Sequence, residues 1–280
     1  MYLITGATGN VGSEVVSQLL AKGQKVRVFS RDASKVARWG DRVEVALGDF
    51  TAPETFATAV SGAEGVFIMN GPLDGGIFRQ LIAAAKAAGT RRVVFLSTMF
   101  AGSPESPIGQ LHKDKEDVIR ASGLEGRFVR AGAFMTNAYQ WLGTIQSEAK
   151  VYNAMGSGQF APVAAEDIAA VAVHALTDPN PLPEVFEVTG GELLTVSEQV
   201  KILAEARNQA IETVDIPTVA AIQNLVRIGT PPPVAAAVAQ SFVAIRDGQM
   251  ATIKDTVERV RGHKPRTFQS WAQEHAARFA

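Results

Sequence analysis

Hydrophobic and polar positions along the first 130 residues alternate between two kinds of segment. Segments with an apolar side chain every three or four residues, such as Val11, Val15 and Leu19, predict helices that bury one face. Almost wholly apolar runs between them are typical of strands covered on both faces, and they occupy residues 2–5, 25–30, 43–47, 65–70, 91–98 and 126–131. Strands that alternate with helices predict an α/β fold with a doubly wound, mostly parallel sheet of Rossmann type.

The pattern changes after the last of these strands, where helical segments predominate. Thr195 and Glu198 have the spacing of a capping box at the start of one helix, and residues 229–245 predict a loop followed by an apolar helix. We therefore expect two lobes: a Rossmann lobe over residues 1–131, and a smaller, helix-rich lobe over residues 132–280 that packs against it. Some exchange of chain between the lobes is expected.

Three glycines lie between the first predicted strand and the helix that begins near Asn10. Gly6, Gly9 and Gly12 are spaced three residues apart in "TGATGNVG". In such a strand-turn-helix unit the first glycine permits a tight turn, the second lets the backbone approach a pyrophosphate, and the third permits close packing of the helix. The amides at the helix N-terminus would then meet the phosphates. We interpret the segment as a dinucleotide-binding turn rather than a purely structural one, with candidate residues Gly6, Thr8, Gly9, Asn10, Val11 and Gly12.

The end of the second predicted strand indicates which dinucleotide would bind. An acidic residue there accepts a hydrogen bond from the ribose 2′-hydroxyl of NAD, whereas arginine accommodates the 2′-phosphate of NADP. The segment offers Ser30, Arg31 and Lys35, and a bidentate guanidinium suits a phosphate. The alternatives are that Asp32 faces the ribose or forms a solvated pair with Arg31. We expect NADP(H) to be preferred over NAD(H).

Composition excludes several classes of site and partner. A formal net charge of −1 provides no basic field, so we expect neither nucleic acid nor a membrane surface as partner. The chain has no cysteine, and its four histidines lack metal-ligand spacing, so we expect no disulfide, thiolate nucleophile or metal site. Without a leader-like or membrane-spanning run, we expect a soluble cytoplasmic protein, either monomeric or homodimeric.

Six motifs carry a family resemblance: "TGATGNVG" (5–12), "SRDASK" (30–35), "GDF" (48–50), "LSTM" (96–99), "HKDKEDVIRASGL" (112–124) and "VRAGAFMTN" (129–137). Together they resemble the NmrA-like atypical short-chain dehydrogenases. The resemblance covers nearly the whole chain and is strongest through residue 180. It implies a Rossmann lobe that binds NADP(H), and a cleft for a small-molecule substrate, roofed by the C-terminal lobe.

The same resemblance implies positions around the cofactor. Asp49 and Phe50 would border the adenine. The path toward the nicotinamide would be lined by Asn70, Gly71, Pro72 and Ser97. These roles come from the resemblance and not from the spacing of the residues.

The tyrosine and lysine pair that ordinary short-chain dehydrogenases use to protonate their substrate is absent from the sequence. Each tyrosine has glycine at the fourth position after it, at Tyr2, Tyr139 and Tyr152. By the resemblance, His112 stands where that lysine would stand, on a helical stripe with Lys115, and Glu116 follows one turn later. Histidine can donate a proton near neutral pH, which makes His112 the candidate catalytic residue. The alternative is a histidine that merely pairs with Glu116.

Aromatic residues follow the sixth predicted strand, at the end of the sheet where an open α/β fold places its ligand crevice. Aromatic rings suit a flat acceptor beside the nicotinamide. Our candidate substrate contacts are Phe134, Asn137 and Tyr139. Packing in the core is the alternative for the rings.

These features favour an NADPH-dependent reductase. Hydride would pass to an electron-poor conjugated small molecule of quinone, azo, triarylmethane or enone type, because such acceptors spread the incoming charge and need less acid. The alternative is a non-catalytic regulatory protein of the NmrA type that senses NADP(H). An epimerase is disfavoured, since epimerases generally rely on the missing pair.

Overall fold

The structure, a computed structural model, describes residues 1–69, 74–103 and 105–279. Its strands are β1 (Tyr2–Thr5), β2 (Val26–Ser30), β3 (Glu44–Leu47), β4 (Gly65–Ile68), β5 (Arg92–Thr98), β6 (Glu125–Ala131), β7 (Lys150–Asn153), β8 (Val185–Val188) and β9 (Glu212–Asp215). Its α-helices are α1 (Asn10–Ala21), α2 (Pro53–Val60), α3 (Gly75–Ala87), α4 (Pro107–Ser122), α5 (Leu142–Glu148), α6 (Ala165–Thr177), α7 (Val196–Arg207), α8 (Thr218–Arg227), α9 (Pro232–Arg246), α10 (Thr256–Arg261) and α11 (Phe268–His275). Among these residues, no helix combines the length and the apolar character that crossing a bilayer requires.

The first six strands and β8 form a parallel sheet in the order β3-β2-β1-β4-β5-β6-β8. β2 and β3 follow one another on one side of β1, and β4 pairs with β1 on the other side. This reversal is the switch point of a doubly wound sheet, where ligands bind outside the carboxyl ends of the strands. The predicted Rossmann-type α/β fold is confirmed, and the six predicted strands end within two residues of the observed bounds.

Helices cover both faces of this sheet. One face carries α1 and α6, which pack against each other, and the other carries α2, α3 and α4. The second face buries a cluster that includes Phe56, Phe78, Phe95, Ile119 and Phe128. Because successive side chains of a strand point to opposite faces, strands covered on both sides must be apolar throughout, which explains the apolar runs of the sequence.

The chain forms two compact units. The first comprises residues 1–104, 109–131 and 165–188, and the second comprises residues 105–108, 132–164 and 189–280. The predicted lobes, 1–131 and 132–280, do not coincide with these units. Both α6 and β8 lie beyond the predicted boundary, but β8 pairs within the parallel sheet and α6 packs on it. β8 pairs with β6 in a register that sets Glu187 beside Arg130.

The second unit contains the parallel pair β7 and β9, with helices whose apolar faces enclose a core that includes Val151, Leu203 and Trp271. The predicted capping box at the start of α7 is confirmed. The Thr195 hydroxyl accepts from the Glu198 amide at 3.1 Å, and the Glu198 carboxylate accepts from the Thr195 amide at 2.7 Å. The predicted apolar helix after the proline-rich loop is α9.

Candidate cofactor site

The turn between β1 and α1 contains the three predicted glycines. Gly6 has a φ of +63°, in the left-handed region that glycine enters without strain. The Gly9 amide donates to the Gly6 carbonyl over 2.9 Å and closes the turn. α1 begins directly afterwards with Gly9 as N-cap, and its described N-terminus has neither a side-chain cap nor an acidic residue in the first turn. The amides of this turn, at the positive end of the helix dipole, therefore suit an anion.

Packing within the turn separates the roles of two glycines. A Cβ at Gly12 would collide with the carbonyl oxygen of Gly6, which cannot move without opening the turn. A Cβ at Gly9 would lie 3.4 Å from the same oxygen, which is ordinary van der Waals contact. The fold therefore requires glycine at Gly12 but not at Gly9, where the missing side chain leaves room for a ligand.

The other candidate residues of the turn differ in exposure. Thr8 and Asn10 are exposed, whereas Val11 is buried. The Asn10 carbonyl accepts from the Ser13 hydroxyl at 3.0 Å. The phosphate contacts of Thr8, Asn10 and Val11 stay predictions.

The segment after β2 engages Asp32 in a local turn. Its Oδ1 accepts from the Ser34 hydroxyl at 2.7 Å and from the Ser34 amide at 2.9 Å. These bonds, the hydroxyl first and the amide second, lower the pKa of the Asp32 carboxyl. The Ser30 hydroxyl donates to the Asp32 carbonyl at 2.9 Å. Oδ1 and the carbonyl oxygen of Asp32 thus both belong to the turn that precedes a 3₁₀ segment, Ser34–Arg42.

Arg31 and Lys35, by contrast, are exposed. The Arg31 side chain is 82% exposed, and its Nε lies 3.8 Å from the Asp49 carboxylate. Such a contact between exposed groups contributes little, so the guanidinium can turn toward a ligand at small cost. Asp49 itself is held by Thr51, whose amide donates at 2.8 Å and whose hydroxyl donates at 2.9 Å; these bonds lower the pKa of Asp49.

Phe50 extends this region with an aromatic surface. Its half-buried ring lies 5.5 Å from the Phe29 ring and 6.1 Å from the Phe56 ring, measured between centroids. Phe50 directly follows Asp49 in the chain, and the Asp49 carboxylate lies 3.8 Å from Arg31. A flat apolar surface beside an exposed cation is suited to an adenine and a phosphate of one nucleotide.

The carboxyl end of β5 meets helix α4. The Ser97 hydroxyl donates to the Glu116 carboxylate over 2.6 Å. Glu116 is fully buried and also accepts from the Arg130 guanidinium at 2.9 and 2.6 Å. The helix can approach so closely because Gly109 has no side chain to collide with the carbonyl of Phe100.

His112 lies on the same helix and is half-buried, with its ring 5.9 Å from the Phe95 ring between centroids. Lys115 is buried, its Nζ lies 5.7 Å from the centroid of the Phe78 ring, and burial lowers its pKa. The contacts of Glu116 with Ser97 and Arg130 were missed in the sequence. Ser97 and Arg130 are visible in the sequence as polar residues near the ends of two apolar strands, but local spacing does not show that these strands are neighbours.

Three of the predicted cofactor contacts cannot be placed in the site. Asn70, Gly71 and Pro72 lie outside the described residues. Within residues 1–69, 74–103 and 105–279, no group of three or more histidine and carboxylate side chains could hold a metal ion.

The predicted substrate contacts belong to the second unit. Phe134 forms a parallel bridge with Val163, and Asn137 is exposed. The Tyr139 ring lies 5.4 Å from the Trp271 ring, and the Arg278 guanidinium lies 4.3 Å from the Tyr139 ring centroid. Packing within the unit accounts for this ring. The substrate roles of Phe134, Asn137 and Tyr139 stay predictions.

Known proteins resemble the chain over its whole length. Residues 6–179 match the family model described as NAD(P)H-binding. The chain is 33% identical to an NAD(P)H azoreductase of Xenophilus azovorans, over 100% of this chain and 99% of that protein. It is 34% identical to a (4-alkanoyl-5-oxo-2,5-dihydrofuran-3-yl)methyl phosphate reductase of Streptomyces griseus, again over 100% and 99%. The NADPH-dependent quinone oxidoreductase of Escherichia coli, solved in complex with NADPH, has the same fold, with a TM-score of 0.85 and 21% identity over 98% and 99% of the two chains.

We predict opposite outcomes for alanine at Gly9 and at Gly12. Gly9→Ala should change the free energy of unfolding by less than about 1 kcal/mol and raise the Kd of NADPH about tenfold or more, because its Cβ fits the turn but occupies the space of the pyrophosphate. Gly12→Ala should lose about 1–3 kcal/mol of stability, because its Cβ collides with the turn. Thermal unfolding and fluorescence titration measure both quantities. A Gly9→Ala protein that binds NADPH like the parent would show that the turn has a structural role only.

Proposed function

The chain belongs to the NAD(P)H-binding family, and we propose that it is an NADPH-dependent reductase of electron-poor conjugated small molecules. The observation that carries this proposal is the turn after β1. The fold does not require glycine at position 9, so the space left by the missing side chain of Gly9 is available to a ligand. This space lies directly before the N-terminus of α1, which has no side-chain cap. When bound there, NADPH supplies a hydride.

The relatives support the class of acceptor. One is named for reduction of azo compounds and the other for reduction of a dihydrofuranone that carries an alkanoyl group. In both, an unsaturated bond can take hydride at one atom while neighbouring atoms spread the resulting negative charge. Quinones and enones share this property. A triarylmethane cation is electron-poor in another way, because its positive charge is delocalised and hydride at the central carbon neutralises it. We include all three in the acceptor class.

Arg31 and Lys35 favour NADPH over NADH. Both side chains are exposed after β2, and Arg31 lies 3.8 Å from Asp49, a weak contact between exposed groups. Asp32, the residue that would favour NAD, directs one carboxylate oxygen to Ser34 instead. The guanidinium therefore binds the 2′-phosphate, and Phe50 borders the adenine.

His112 is the proposed proton donor for acceptors that develop a localised negative charge. No tyrosine of this chain is followed by lysine at the fourth position, so the usual acid of short-chain dehydrogenases is missing. Delocalised acceptors need less help from an acid, and the half-buried imidazole of His112, with its ring 5.9 Å from the Phe95 ring between centroids, can supply a proton where one is needed.

The direct test is NADPH consumption by the purified protein with a panel of quinones, azo dyes, triarylmethane dyes and conjugated enones. We expect turnover with at least one class, and faster turnover with NADPH than with NADH. Tight binding of NADPH without turnover of any acceptor would contradict the proposal and favour the cofactor-sensing alternative.

We predict that Arg31→Ala raises the Kd of NADPH about ten- to a hundredfold and leaves the Kd of NADH nearly unchanged. The substitution removes a charge-assisted phosphate contact that contributes about 1.5–3 kcal/mol. Arg38→Ala is the matched control, because the Arg38 guanidinium lies 4.2 Å from the centroid of the Trp39 ring in the same segment. Equal weakening of both dinucleotides by Arg31→Ala would refute the assignment.

We predict that His112→Ala lowers kcat about a hundredfold or more with an enone while the Kd of NADPH stays near the parent value, because a positioned acid contributes on that scale. With a triarylmethane cation, which needs hydride but no proton, kcat should change little. Gln110→Ala, at an exposed position of the same helix, serves as the control. A uniform loss over all acceptors together with a lower Tm would mean that His112 only stabilises the helix.

A further inference from the structure

Glu116 is a carboxylate without exposed surface on the face of α4 that packs on the sheet. Its Oε1 accepts from the Ser97 hydroxyl at 2.6 Å and from Arg130 Nε at 2.9 Å. Its Oε2 accepts from Arg130 Nη2 at 2.6 Å and from Arg120 Nη2 at 3.2 Å. Each oxygen therefore has two donors, and Ser97 is the one neutral donor among them.

The two arginines already compensate the buried charge. Arg130 contacts both carboxylate oxygens in the bidentate geometry that makes such pairs strong, and these bonds raise the pKa of Arg130. An ionised carboxylate only accepts hydrogen bonds. The charge of Glu116 therefore does not depend on the contact with Ser97. That contact does fix the direction of the Ser97 hydroxyl hydrogen, which points to Glu116.

Ser97 lies where a ligand of this fold is expected. It is the residue before the last of β5, and it is in register with Arg130 of β6. Ligands of an open parallel sheet bind outside these carboxyl ends. A serine hydroxyl has one hydrogen and two lone pairs. Because the hydrogen points to Glu116, Ser97 can offer a ligand only its lone pairs.

We propose that Glu116 is a positioning residue that makes Ser97 a hydrogen-bond acceptor for an N–H or O–H group of the bound ligand. The place of that ligand rests on the proposed function. Two groups have the required chemistry: the primary amide of the nicotinamide ring, and an N–H or O–H on the acceptor. The arrangement also means that Ser97 is not the proton donor of the reaction.

A double-mutant cycle tests this inference with four proteins: the parent, Glu116→Asp, Ser97→Ala and the double variant. Aspartate keeps a charge for Arg130 but is one methylene shorter, so it withdraws from Ser97. The measurements are the Kd of NADPH, the Kd of its 3-acetylpyridine analogue, in which a methyl group replaces the amide nitrogen, and kcat/KM with a quinone that carries a hydroxyl group. Glu116→Asp should change at least one of these about two- to tenfold in the parent background and leave it unchanged in the Ser97→Ala background.

The quantity that changes identifies the donor. If the nicotinamide amide donates to Ser97, both single variants weaken the binding of NADPH and leave the binding of the analogue unchanged. If the donor belongs to the acceptor, both dissociation constants stay at the parent values and kcat/KM falls. Either result supports the role of Glu116.

Two results would overturn the inference. Effects of Glu116→Asp and Ser97→Ala that simply add would mean that Glu116 does not act through Ser97, and parent values for Glu116→Asp in every measurement would mean that it does not act at all. Should the aspartate variant fail to fold, Glu116→Gln replaces it in the cycle. With its amide oxygen toward the two Nη2 donors, its amide nitrogen faces Arg130 Nε and the Ser97 hydroxyl. The Ser97 hydroxyl must then turn outward as a donor, which weakens the same interaction with the ligand.

Asp117→Asn is the matched control for lost charge on α4. Asp117 accepts from Arg120 at 3.0 Å and from Lys113 at 2.6 Å, and it is exposed. Its variant should keep the parent values. If the parent protein binds NADPH but reduces no acceptor, only the reductase proposal is refuted. The inference about Glu116 then stands only if the two dissociation constants show the coupling between Glu116 and Ser97.

Discussion

The close approach of α1 to the turn after β1 is the constraint on which the candidate site depends. Gly6 reverses the chain in the left-handed region, and Gly12 lets the first turn of the helix lie against the carbonyl of Gly6. The helix therefore starts directly at the strand end, with its first amides at the switch point of the sheet. A side chain at Gly12 would separate helix and turn and displace these amides. A side chain at Gly9 would not collide with the turn, so the absence of a Cβ there leaves the backbone accessible to a ligand.

A parallel sheet extends this local constraint to residues far apart in the chain, because all its strands end at one edge. The order β3-β2-β1-β4-β5-β6-β8 places Phe50 and Arg31 after the first two strands of that edge, the glycine turn after the third and Ser97 near the end of the fifth. An aromatic surface with a cation, a set of backbone amides and a polar strand end thus follow one another. Adenine with its ribose phosphate, pyrophosphate and nicotinamide follow one another in the same order in NADP.

The elements of the sheet could be predicted from the sequence because apolar runs and helical spacing report burial, which acts on each segment separately. The glycine turn was equally accessible, since its demands on the backbone act within seven residues. The partners of Glu116 were not, because local spacing does not tell which strands are neighbours, and the register of β5 with β6 is what sets Ser97 beside Arg130. The place of β8 was missed for the same reason: it follows a helix-rich stretch but pairs with β6.

Arg31, after β2, and Arg130, near the end of β6, differ in how readily they can turn toward a ligand. Arg31 is 82% exposed and lies 3.8 Å from its carboxylate, so turning it toward a phosphate costs little. The Arg130 side chain is 13% exposed and is bonded to a carboxylate with no exposure, and breaking such a pair costs about 3–5 kcal/mol because it leaves a buried charge uncompensated. Arg31 can therefore turn toward an anionic ligand, whereas Arg130 is held in place by Glu116. Because Arg130 is already paired with Glu116, it would not compete with the glycine turn for phosphates. The Ser97 hydrogen is held by Glu116 as well, so a proton for the acceptor has to come from another group, which is the role proposed for His112.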